Sequence, residues 1–395
     1  QVEERSYYSG ITSARVQIQE GRYDLAEQTL WDTPERLRNW EWGYLLSLAS
    51  QDIYTLKGHT QRISTARFSP DGQQILTASL DNTARIWDTK TVTTSAALLG
   101  HTDGIRYAEF SADGRRIVTA SWDRTARVWD AESGKEHTIL RGHNGPVVSA
   151  HFSPDSRQIV TSSHDKTARV WEVQTGNQLL VLDGHSDRVL DAKFSSDGLK
   201  IVTASSDKTA RVWDSQSGRQ LVVLDLGCEV FHAEFSPDNR QVLTIANGDA
   251  ARIWDATNGS QQGVLSVPPH NFRSSMLNAN FSRDGRRIIT VSMSGACPIW
   301  DAESGKQVAN IKIPSDCSYF RYACFAPDGH SVVTTSDDNR AWVWDSQSGK
   351  QLAVLRGHGD MVNFAEFSPD GQCVLTASND STARMWDVEA QDNPI

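Results

Sequence analysis

The decapeptide SWDRTARVWD, at Ser121–Asp130, holds the pattern that decides the fold of this chain. A polar turn is followed by residues that alternate between small or apolar and polar, and the run closes with Trp-Asp. This alternation is typical of a half-buried β-strand. Runs of the same form recur about every 42 residues and end at Trp87, Trp129, Trp171, Trp213, Trp254, Trp300, Trp344 and Trp386. A unit of this length cannot bury its own apolar face, so copies of it must stack around a shared core.

One complete unit, residues 100–141, predicts four antiparallel strands. Alternating stretches are separated by short turn sequences such as Ala112-Asp113-Gly114 and Ser133-Gly134. Four such strands joined by tight turns describe one blade of a β-propeller. A phenylalanine marks the first strand of each of the eight units, at Phe68, Phe110, Phe152, Phe194, Phe235, Phe281, Phe325 and Phe367. Eight units therefore predict eight blades.

The two ends of the repeat region predict how the ring closes. After Trp386 the chain ends before a fourth strand can form, whereas Ile53–Lys57 precedes the first unit and has the pattern of an outer strand. We predict an all-β fold: an eight-bladed β-propeller of four-stranded antiparallel blades, closed by this N-terminal strand, which leaves no free sheet edge. The expected organisation is a short N-terminal α-helical appendage over residues 1–50, the propeller over 51–390, and a C-terminal tail over 391–395.

Several of these motifs resemble the WD-repeat β-propellers. The resemblance rests on the Gly-His openings, on Ser-Pro-Asp-Gly at Ser69–Gly72, and on Ser-x-Asp-x-Thr-x-Arg-x-Trp-Asp at Ser79–Asp88, and it extends over residues 52 to about 388. In that family a histidine, a serine, an aspartate and the tryptophan of each unit form a hydrogen-bonded chain that rigidifies the blade. The resemblance implies such a structural network at His59, Ser79, Asp81, Trp87, His101, Ser121, Asp123, Trp129, His143, Ser163, Asp165, Trp171, His185, Ser205, Asp207, Trp213, His358, Ser378, Asp380 and Trp386.

The recurring His, Ser and Asp have a second interpretation, which is a hydrolase triad. Repetition favours the structural role, since a triad needs one exposed nucleophile beside an oxyanion hole. The sequence contains no phosphate-binding loop, no His-Glu-x-x-His pair and no kinase catalytic loop. We therefore expect no enzyme activity, no catalytic residue, no cofactor and no metal.

The fifth, sixth and seventh units depart from the motif. Gly227-Cys228 replaces Gly-His in the fifth unit, Ser294 stands where aspartate is expected in the sixth, and Asp316-Cys317 opens the seventh. We expect these blades to be the least stable. An insertion at residues 268–273 lies in the same sector, and two interpretations remain open: binding loops on a fixed scaffold, or decay of the repeat.

The candidate binding residues follow from the family resemblance. In WD-repeat propellers the loops between blades, and those between the second and third strands, gather on one face around the central opening. Arginine and aromatic side chains on such a face often anchor protein interfaces. The resulting candidates for partner binding are Arg62, Arg106, Trp122, His164, Arg188, Phe231, Tyr319 and Arg321. Three of them, Arg62, Arg106 and Arg188, either converge on a phosphate or carboxylate or are solvated side chains.

The first fifty residues have helical spacing. Helices are predicted at Ser6–Glu20, at Tyr23–Trp31, and from Thr33-Pro34 to about Ala49. Three tryptophans, at positions 31, 40 and 42, are expected to be buried against the propeller, with a groove for a partner as the alternative. Residues 21–26 and 37–45 resemble the segment before the propellers of bacterial multidomain WD-repeat proteins, some of which carry a Ser/Thr kinase domain and a membrane span upstream. This resemblance implies a bacterial source and a regulatory role.

Composition excludes some classes of partner. The chain of 395 residues has 39 Lys and Arg against 49 Asp and Glu, a net charge of −10, which argues against nucleic-acid binding. Its apolar runs are shorter than the ~18–20 residues that span a bilayer, so we expect no membrane insertion. Five cysteines without metal-type spacing favour a reducing, cytoplasmic location. The alternative is an extracytoplasmic domain of a membrane-anchored protein.

Three functions are compatible with this sequence. The first is a non-enzymatic, monomeric scaffold that binds a protein or peptide, as the interaction module of a larger bacterial protein. The second is a structural scaffold whose N-terminal helices fix an upstream domain, such as a kinase. The third is a propeller that binds a small ligand in its central opening. Because the chain begins with Gln1, we expect it to be part of a longer protein.

Overall fold

The computed structural model describes residues 2–20, 22, 25–26, 29–30, 32–49, 53–248, 250–266, 276–293, 295–312, 317 and 319–388. Within this part of the chain, 32 strands form eight sheets of four strands each. The first strands of neighbouring blades contact each other at seven of the eight junctions, and between the fifth and sixth blades the second strand of the fifth contacts the first strand of the sixth, so the first strands line the centre of the ring. The predicted eight-bladed propeller is confirmed.

The strands fall into four sets by their position in the blade. The innermost strands are β2 (Ile63–Phe68), β6 (Ile105–Phe110), β10 (Val147–Phe152), β14 (Val189–Phe194), β18 (Val230–Phe235), β22 (Met276–Phe281), β26 (Phe320–Phe325) and β30 (Val362–Phe367). The second strands are β3 (Gln74–Ser79), β7 (Arg116–Ser121), β11 (Gln158–Ser163), β15 (Lys200–Ser205), β19 (Gln241–Ala246), β23 (Arg287–Ser292), β27 (Ser331–Ser336) and β31 (Cys373–Ser378).

The third and fourth strands complete each blade outward. The third strands are β4 (Ala84–Asp88), β8 (Thr125–Asp130), β12 (Ala168–Glu172), β16 (Thr209–Asp214), β20 (Ala250–Asp255), β24 (Ala296–Asp301), β28 (Ala341–Asp345) and β32 (Ala383–Asp387). The fourth strands are β5 (Thr94–Leu98), β9 (Glu136–Arg141), β13 (Gln178–Leu182), β17 (Gln220–Asp225), β21 (Gln261–Ser266), β25 (Gln307–Lys312), β29 (Gln351–Leu355) and β1 (Tyr54–Leu56).

The core of the propeller lies between blades. In one cluster, Leu76 and Ile86 of the first blade pack with Ile105, Ile117 and Trp129 of the second. Each blade thus buries its apolar face against the next blade, as the short repeat requires. Second strands are buried at five of their six positions because they have neighbours on both sides within the sheet and blades on both faces.

The N-terminal strand closes the ring. β1 pairs antiparallel with β32, with Tyr54 opposite Met385 and Leu56 opposite Ala383. Leu56 is 2% exposed and joins a cluster that contains Trp87 of the first blade and Met385 of the last. The predicted closure is confirmed, and it joins the two ends of the repeat region in one sheet.

The helical segment differs in detail from its prediction. Helix α1 spans Val2–Gln19, a 3₁₀ turn spans Glu35–Leu37, and helix α2 spans Trp40–Ala49. The single helix predicted from Thr33-Pro34 to Ala49 is wrong, because the chain breaks at residues 38–39 and restarts. Asn39 Oδ1 caps α2 by accepting a 2.9 Å hydrogen bond from the Glu41 amide. The helix predicted at Tyr23–Trp31 lies largely outside the described residues.

The aromatic residues of this segment have different environments. Tyr7, Leu30 and Leu45 belong to a core built entirely from residues of the helical segment. Trp40 is 80% exposed, so its predicted burial is wrong. Trp42 is half-buried, and its indole nitrogen donates a 2.8 Å hydrogen bond to the Leu30 carbonyl. Trp31 lies outside the described residues, and packing of the segment on the propeller stays a prediction.

Candidate interaction site at the mouth of the central channel

Histidine, aspartate, threonine and tryptophan form one hydrogen-bonded chain in each of five blades. In the second blade, His101 Nδ1 lies 2.7 Å from Asp123 Oδ2, and His101 Nε2 lies 2.8 Å from Thr119 Oγ1. Trp129 Nε1 donates to the same Thr119 Oγ1 at 2.9 Å. The geometry assigns the proton to Nδ1, which donates to the carboxylate, while Nε2 accepts from the threonine hydroxyl. The equivalent chains start at His59, His143, His185 and His358.

The serine of the motif forms hydrogen bonds with the loop, and it does not bond to the histidine. Ser121 Oγ donates a 2.8 Å hydrogen bond to the Asp103 carbonyl and accepts one from the Asp123 amide. The same two bonds recur at Ser79, Ser163, Ser205 and Ser378. This serine therefore ties the inter-blade loop to the turn before the third strand, and threonine takes the place between histidine and tryptophan.

Burial controls the charges in this network. Desolvation lowers the pKa of His59, His143 and His185 below the ordinary histidine value, even though each faces an aspartate. For Asp123, burial opposes ionisation, but hydrogen bonds from His101 and Thr125 outweigh it and lower the pKa of the carboxyl. A neutral imidazole and an ionised carboxylate are the forms that complete the chain of hydrogen bonds.

In blades five to seven, the described residues show the inner half of the network, the bond between tryptophan and threonine. Trp254, Trp300 and Trp344 donate 2.8–2.9 Å hydrogen bonds to the threonines of their second strands. Cys228 stands in the position of histidine in the fifth blade, and in the seventh blade Asp338 instead contacts Ser336 and Arg340. Ser294, Asp316 and the insertion at 268–273 lie outside the described residues.

Five candidate residues from four blades, the first, second, third and fifth, meet at one end of the central channel. A cavity of about 770 Å³ is lined by Arg62, Arg106, Trp122, His164 and Phe231. Arg62 precedes β2, while Arg106 and Phe231 lie at the start of β6 and β18; Trp122 and His164 directly follow β7 and β11. These positions meet because the chain enters every first strand, and leaves every second strand, on the same face.

Backbone hydrogen bonds hold these loops in place. The Trp122 amide donates to the Gly104 carbonyl at 3.0 Å, and the His164 amide donates to the Pro146 carbonyl at 3.0 Å. The indole of Trp122 lies close to Gly104, where an added Cβ would come within 3.5 Å of its ring and 3.0 Å of Leu80. The absence of a side chain at Gly104 therefore leaves room for Leu80 and the Trp122 ring beside it.

Three candidates lie outside the lining of this cavity. Arg188 is exposed in the loop before β14, close enough to His164 that burial and the arginine charge together lower the pKa of His164. The Tyr319 amide donates to Asp337 Oδ1 at 3.4 Å. Arg321 Nη1 lies 3.6 Å from Met361 Sδ. The site therefore centres on the first to third blades, with Phe231 from the fifth, and Tyr319 and Arg321 belong to another sector of the face.

The two arginines at the mouth carry uncompensated charge. Burial lowers the pKa of Arg106, and the positive charge of Arg62 lowers it further. Asp191 is the only carboxylate among the described residues that line the cavity, and it lies deeper, between two histidines. Two positive charges close together without a counterion repel each other, so the mouth of the channel attracts anions.

Deeper in the channel, charged side chains pair across neighbouring blades. Arg67 Nη1 lies 2.8 Å from Glu366 Oε2, which joins the first and last blades. Tyr107 Oη donates to Glu109 Oε2 at 2.9 Å, and His151 Nδ1 lies 2.9 Å from that same oxygen. Sequence reasoning missed these pairs. The sequence feature that could have predicted them is a polar or charged residue directly before the phenylalanine of most first strands.

The chain of charges continues through the third to fifth blades. Asp191 Oδ2 lies 2.6 Å from His232 Nδ1, and Asp191 Oδ1 lies 3.6 Å from His151 Nε2. Lys193 Nζ lies 3.4 Å from Glu234 Oε2. Burial raises the pKa of Glu234, but Lys193 and His232 outweigh it and bring that pKa to about 2. These charges compensate one another, in contrast to the arginines above them.

The fold and this site define a class of protein, a closed β-propeller with a loop face around a central opening. The family model for the WD domain, G-beta repeat, matches residues 50–88, 91–130, 134–172, 176–214, 312–345 and 349–387. The chain belongs to this WD40 family. Residues 215–311, which include most of the fifth and sixth blades, lie outside the matched ranges.

A solved structure supports the same fold. The crystal structure of the computationally designed Ika8 protein is similar to this chain with a TM-score of 0.73. The similarity covers 86% of this chain and 100% of the designed one, at 23% sequence identity. At that identity the similarity concerns the fold alone. No described helix is both long and apolar enough to cross a membrane.

Proposed function

We propose that this protein is a non-enzymatic scaffold that binds a protein or peptide on the loop face, centred on the mouth of the channel. The observation that carries the proposal is that Arg62, Arg106, Trp122, His164 and Phe231 line one cavity. Phe231 is 38% exposed, although a phenylalanine is more often buried. Arginine and aromatic side chains around a concave centre are the composition of an interface hot spot.

The contrast between the two levels of the channel supports this location. Charges in the deeper level, such as Arg67 with Glu366 and Lys193 with Glu234, are paired within the ring and stabilise it. Arg62 and Arg106 at the mouth form no ion pair with any residue in the described ranges. A partner that lies across the face can therefore supply the negative charge that the ring does not provide for these two arginines.

The proposed setting follows from the sequence. We place the protein in the cytoplasm as a monomeric interaction module of a larger bacterial regulatory protein. Support for a reducing compartment comes from the five cysteines, all of which are free thiols.

A second function is favoured by one observation in the helical segment. Trp40 is 80% exposed and Tyr44, one turn later on α2, is 54% exposed. Large aromatic side chains exposed on one helix face often mark a contact surface. The second candidate is therefore a scaffold whose helices fix an upstream domain, and it predicts that Trp40→Ala weakens partner binding while loop-face variants do not.

Affinity capture followed by mass spectrometry tests the first function. The wild-type protein is compared with a variant that carries Arg62→Glu, Arg106→Glu, Trp122→Ala and Arg188→Glu. A protein retained by the wild type and lost by the variant supports loop-face binding. Equal retention by both would contradict it.

A matched control separates the site from a general effect of charge. Four exposed residues at the opposite end of the propeller give the same set of changes: Arg115→Glu, Arg157→Glu, Leu199→Ala and Arg219→Glu. These side chains lie in turns that leave the first and third strands at the other face. The control variant is expected to retain the partner, and circular dichroism must show that all three proteins are folded.

A further inference from the structure

The Arg62–Arg106 pair holds information about the chemistry of the ligand. The two guanidinium groups come from adjacent blades and are close enough that the charge of Arg62 lowers the pKa of Arg106, after burial. The protein as a whole carries a net charge of −10, so this pair is a local positive site on an acidic molecule. Both side chains are exposed, so solvent screens their repulsion, and a bound anion offsets what remains.

The surroundings of the pair leave no internal counterion among the described lining residues. Asp191, the single carboxylate of that lining, is held by His151 and His232. The Glu109 and Glu366 carboxylates lie deeper in the channel and accept hydrogen bonds from the Phe152 and Phe68 amides. The carboxylates nearest the channel are thus committed to holding blades together.

The shape of the cavity limits what the anion is attached to. Its volume of about 770 Å³ is open to the loop face and has the Trp122 ring on its wall beside the arginines. This space accepts a few side chains of a partner lying across the face. An acidic side chain can point into it with its apolar stem against the indole, while guanidinium groups hold its oxygens in charge-assisted hydrogen bonds.

We propose that Arg62 and Arg106 together bind the oxyanion group of an acidic side chain, either a carboxylate or a phosphate, carried by the protein partner. This inference rests on the proposed function and adds the chemistry of the group that is recognised. The shared chemistry is an oxyanion with at least two acceptor oxygens, one for each arginine.

Three small probes test the proposal without knowledge of the partner. The wild-type protein is titrated with N-acetyl-glutamate methylamide, N-acetyl-phosphoserine methylamide and inorganic phosphate, and the Nε–Hε resonances of its arginines are followed by NMR. At least one of the two side-chain analogues is expected to shift the Arg62 and Arg106 resonances in a saturable way. The analogue that binds more tightly distinguishes the carboxylate from the phosphate.

Matched variants assign the effect to the pair. Arg62→Gln and Arg106→Gln are each expected to weaken the tighter analogue at least about tenfold, the loss of one charge-assisted hydrogen bond. Arg141→Gln removes an exposed arginine from β9, outside the cavity, and is expected to leave binding unchanged. Binding that is equal in the three variants would overturn the proposal.

Other results overturn it in distinguishable ways. If inorganic phosphate binds and both side-chain analogues do not, the anion is a free one and the assignment to a side chain is wrong. If neither analogue binds but capture of a protein still depends on Arg62 and Trp122, the proposed function stands and the oxyanion proposal fails. If the analogues bind while no protein is captured, the assignment to a protein partner is overturned.

Discussion

Trp254 Nε1 donates a 2.8 Å hydrogen bond to Thr244 Oγ1 in a blade where Cys228 replaces histidine. The bond between tryptophan and threonine is therefore independent of the histidine. In the second blade the same threonine position, Thr119, holds both Trp129 and His101. Comparing these two blades separates the two halves of the network.

Replacing threonine by valine should lower the free energy of unfolding more in the second blade than in the fifth. Thr119→Val leaves two buried side chains, Trp129 and His101, without their hydrogen-bond partner. Thr244→Val does so only for Trp254. We expect the free energy of unfolding to fall by about 2–4 kcal/mol for Thr119→Val and by about half of that for Thr244→Val. Each buried polar group left without a hydrogen bond costs roughly 1–3 kcal/mol. Urea unfolding followed by tryptophan fluorescence measures both losses, and equal losses would contradict the role of threonine as a bridge.

Amide hydrogen exchange should be fastest in the blades that lack the histidine. In the fifth and seventh blades a cysteine replaces the histidine that links the loop to the threonine of the second strand, although Trp254 and Trp344 keep their hydrogen bonds. Local opening there needs fewer broken bonds. We expect amides in β20 and β28 to exchange faster than those in β8 and β12. Uniform protection around the ring would show that histidine does not control local stability.

The histidines of the channel give stability a defined dependence on pH. Burial alone would lower the pKa values of His151 and His232, but Glu109 and Asp191 outweigh it and raise both. A histidine whose pKa is higher in the folded protein than in the unfolded one stabilises the fold when it is protonated. This contribution is complete below the unfolded pKa of about 6.5 and is lost as the pH rises through the folded pKa. The free energy of unfolding should therefore fall above pH 6.5.

A double variant checks this pH dependence. His151→Gln with His232→Gln removes both groups, so its free energy of unfolding should fall less steeply than that of the wild type between pH 6.5 and the alkaline range. His330→Gln, which changes an exposed histidine, should keep the wild-type slope. The explanation is wrong if the double variant and the wild type have the same slope.

Truncation should show how much the N-terminal strand contributes to closure. Removing residues 1–57 deletes β1, which exposes the edge of β32 and removes the burial of Leu56. We expect a loss of at least about 3 kcal/mol and a tendency to associate through the free edge. Removing residues 1–49 keeps β1 and should cost less. Thermal unfolding and size-exclusion chromatography compare the two proteins, and equal losses would contradict the role given to β1.

The fold was predictable because its signals repeat. The alternating pattern that ends at Trp129 recurs with one period, and Ile53–Lys57 has the apolar residues that an outer strand needs. Histidine and aspartate were recognisable because both are rare in strands and kept one spacing. Threonine is common in strands, so Thr119 does not stand out within one unit, although eight threonines recur in the same place.

The channel was harder to predict because its contacts cross between blades. His151 meets Glu109 of the preceding blade, and Arg67 meets Glu366 only because the ring closes. Such pairs become visible when neighbouring repeats are aligned and the residues before the phenylalanines are compared. Trp40 was expected to be buried because tryptophan is large and apolar, but it is the first residue of α2, directly after the break at Asn39, and its side chain is exposed.

Photo-crosslinking reports which face of the propeller a partner touches. Benzoylphenylalanine is placed at Phe231, beside the channel mouth, or at Leu199, an exposed turn residue at the opposite end. If partners bind at the channel mouth, a protein partner is crosslinked from position 231 and not from position 199, and Arg62→Glu with Arg106→Glu abolishes the product. A partner crosslinked only from position 199, or from position 231 regardless of the two arginines, would contradict binding at the channel mouth.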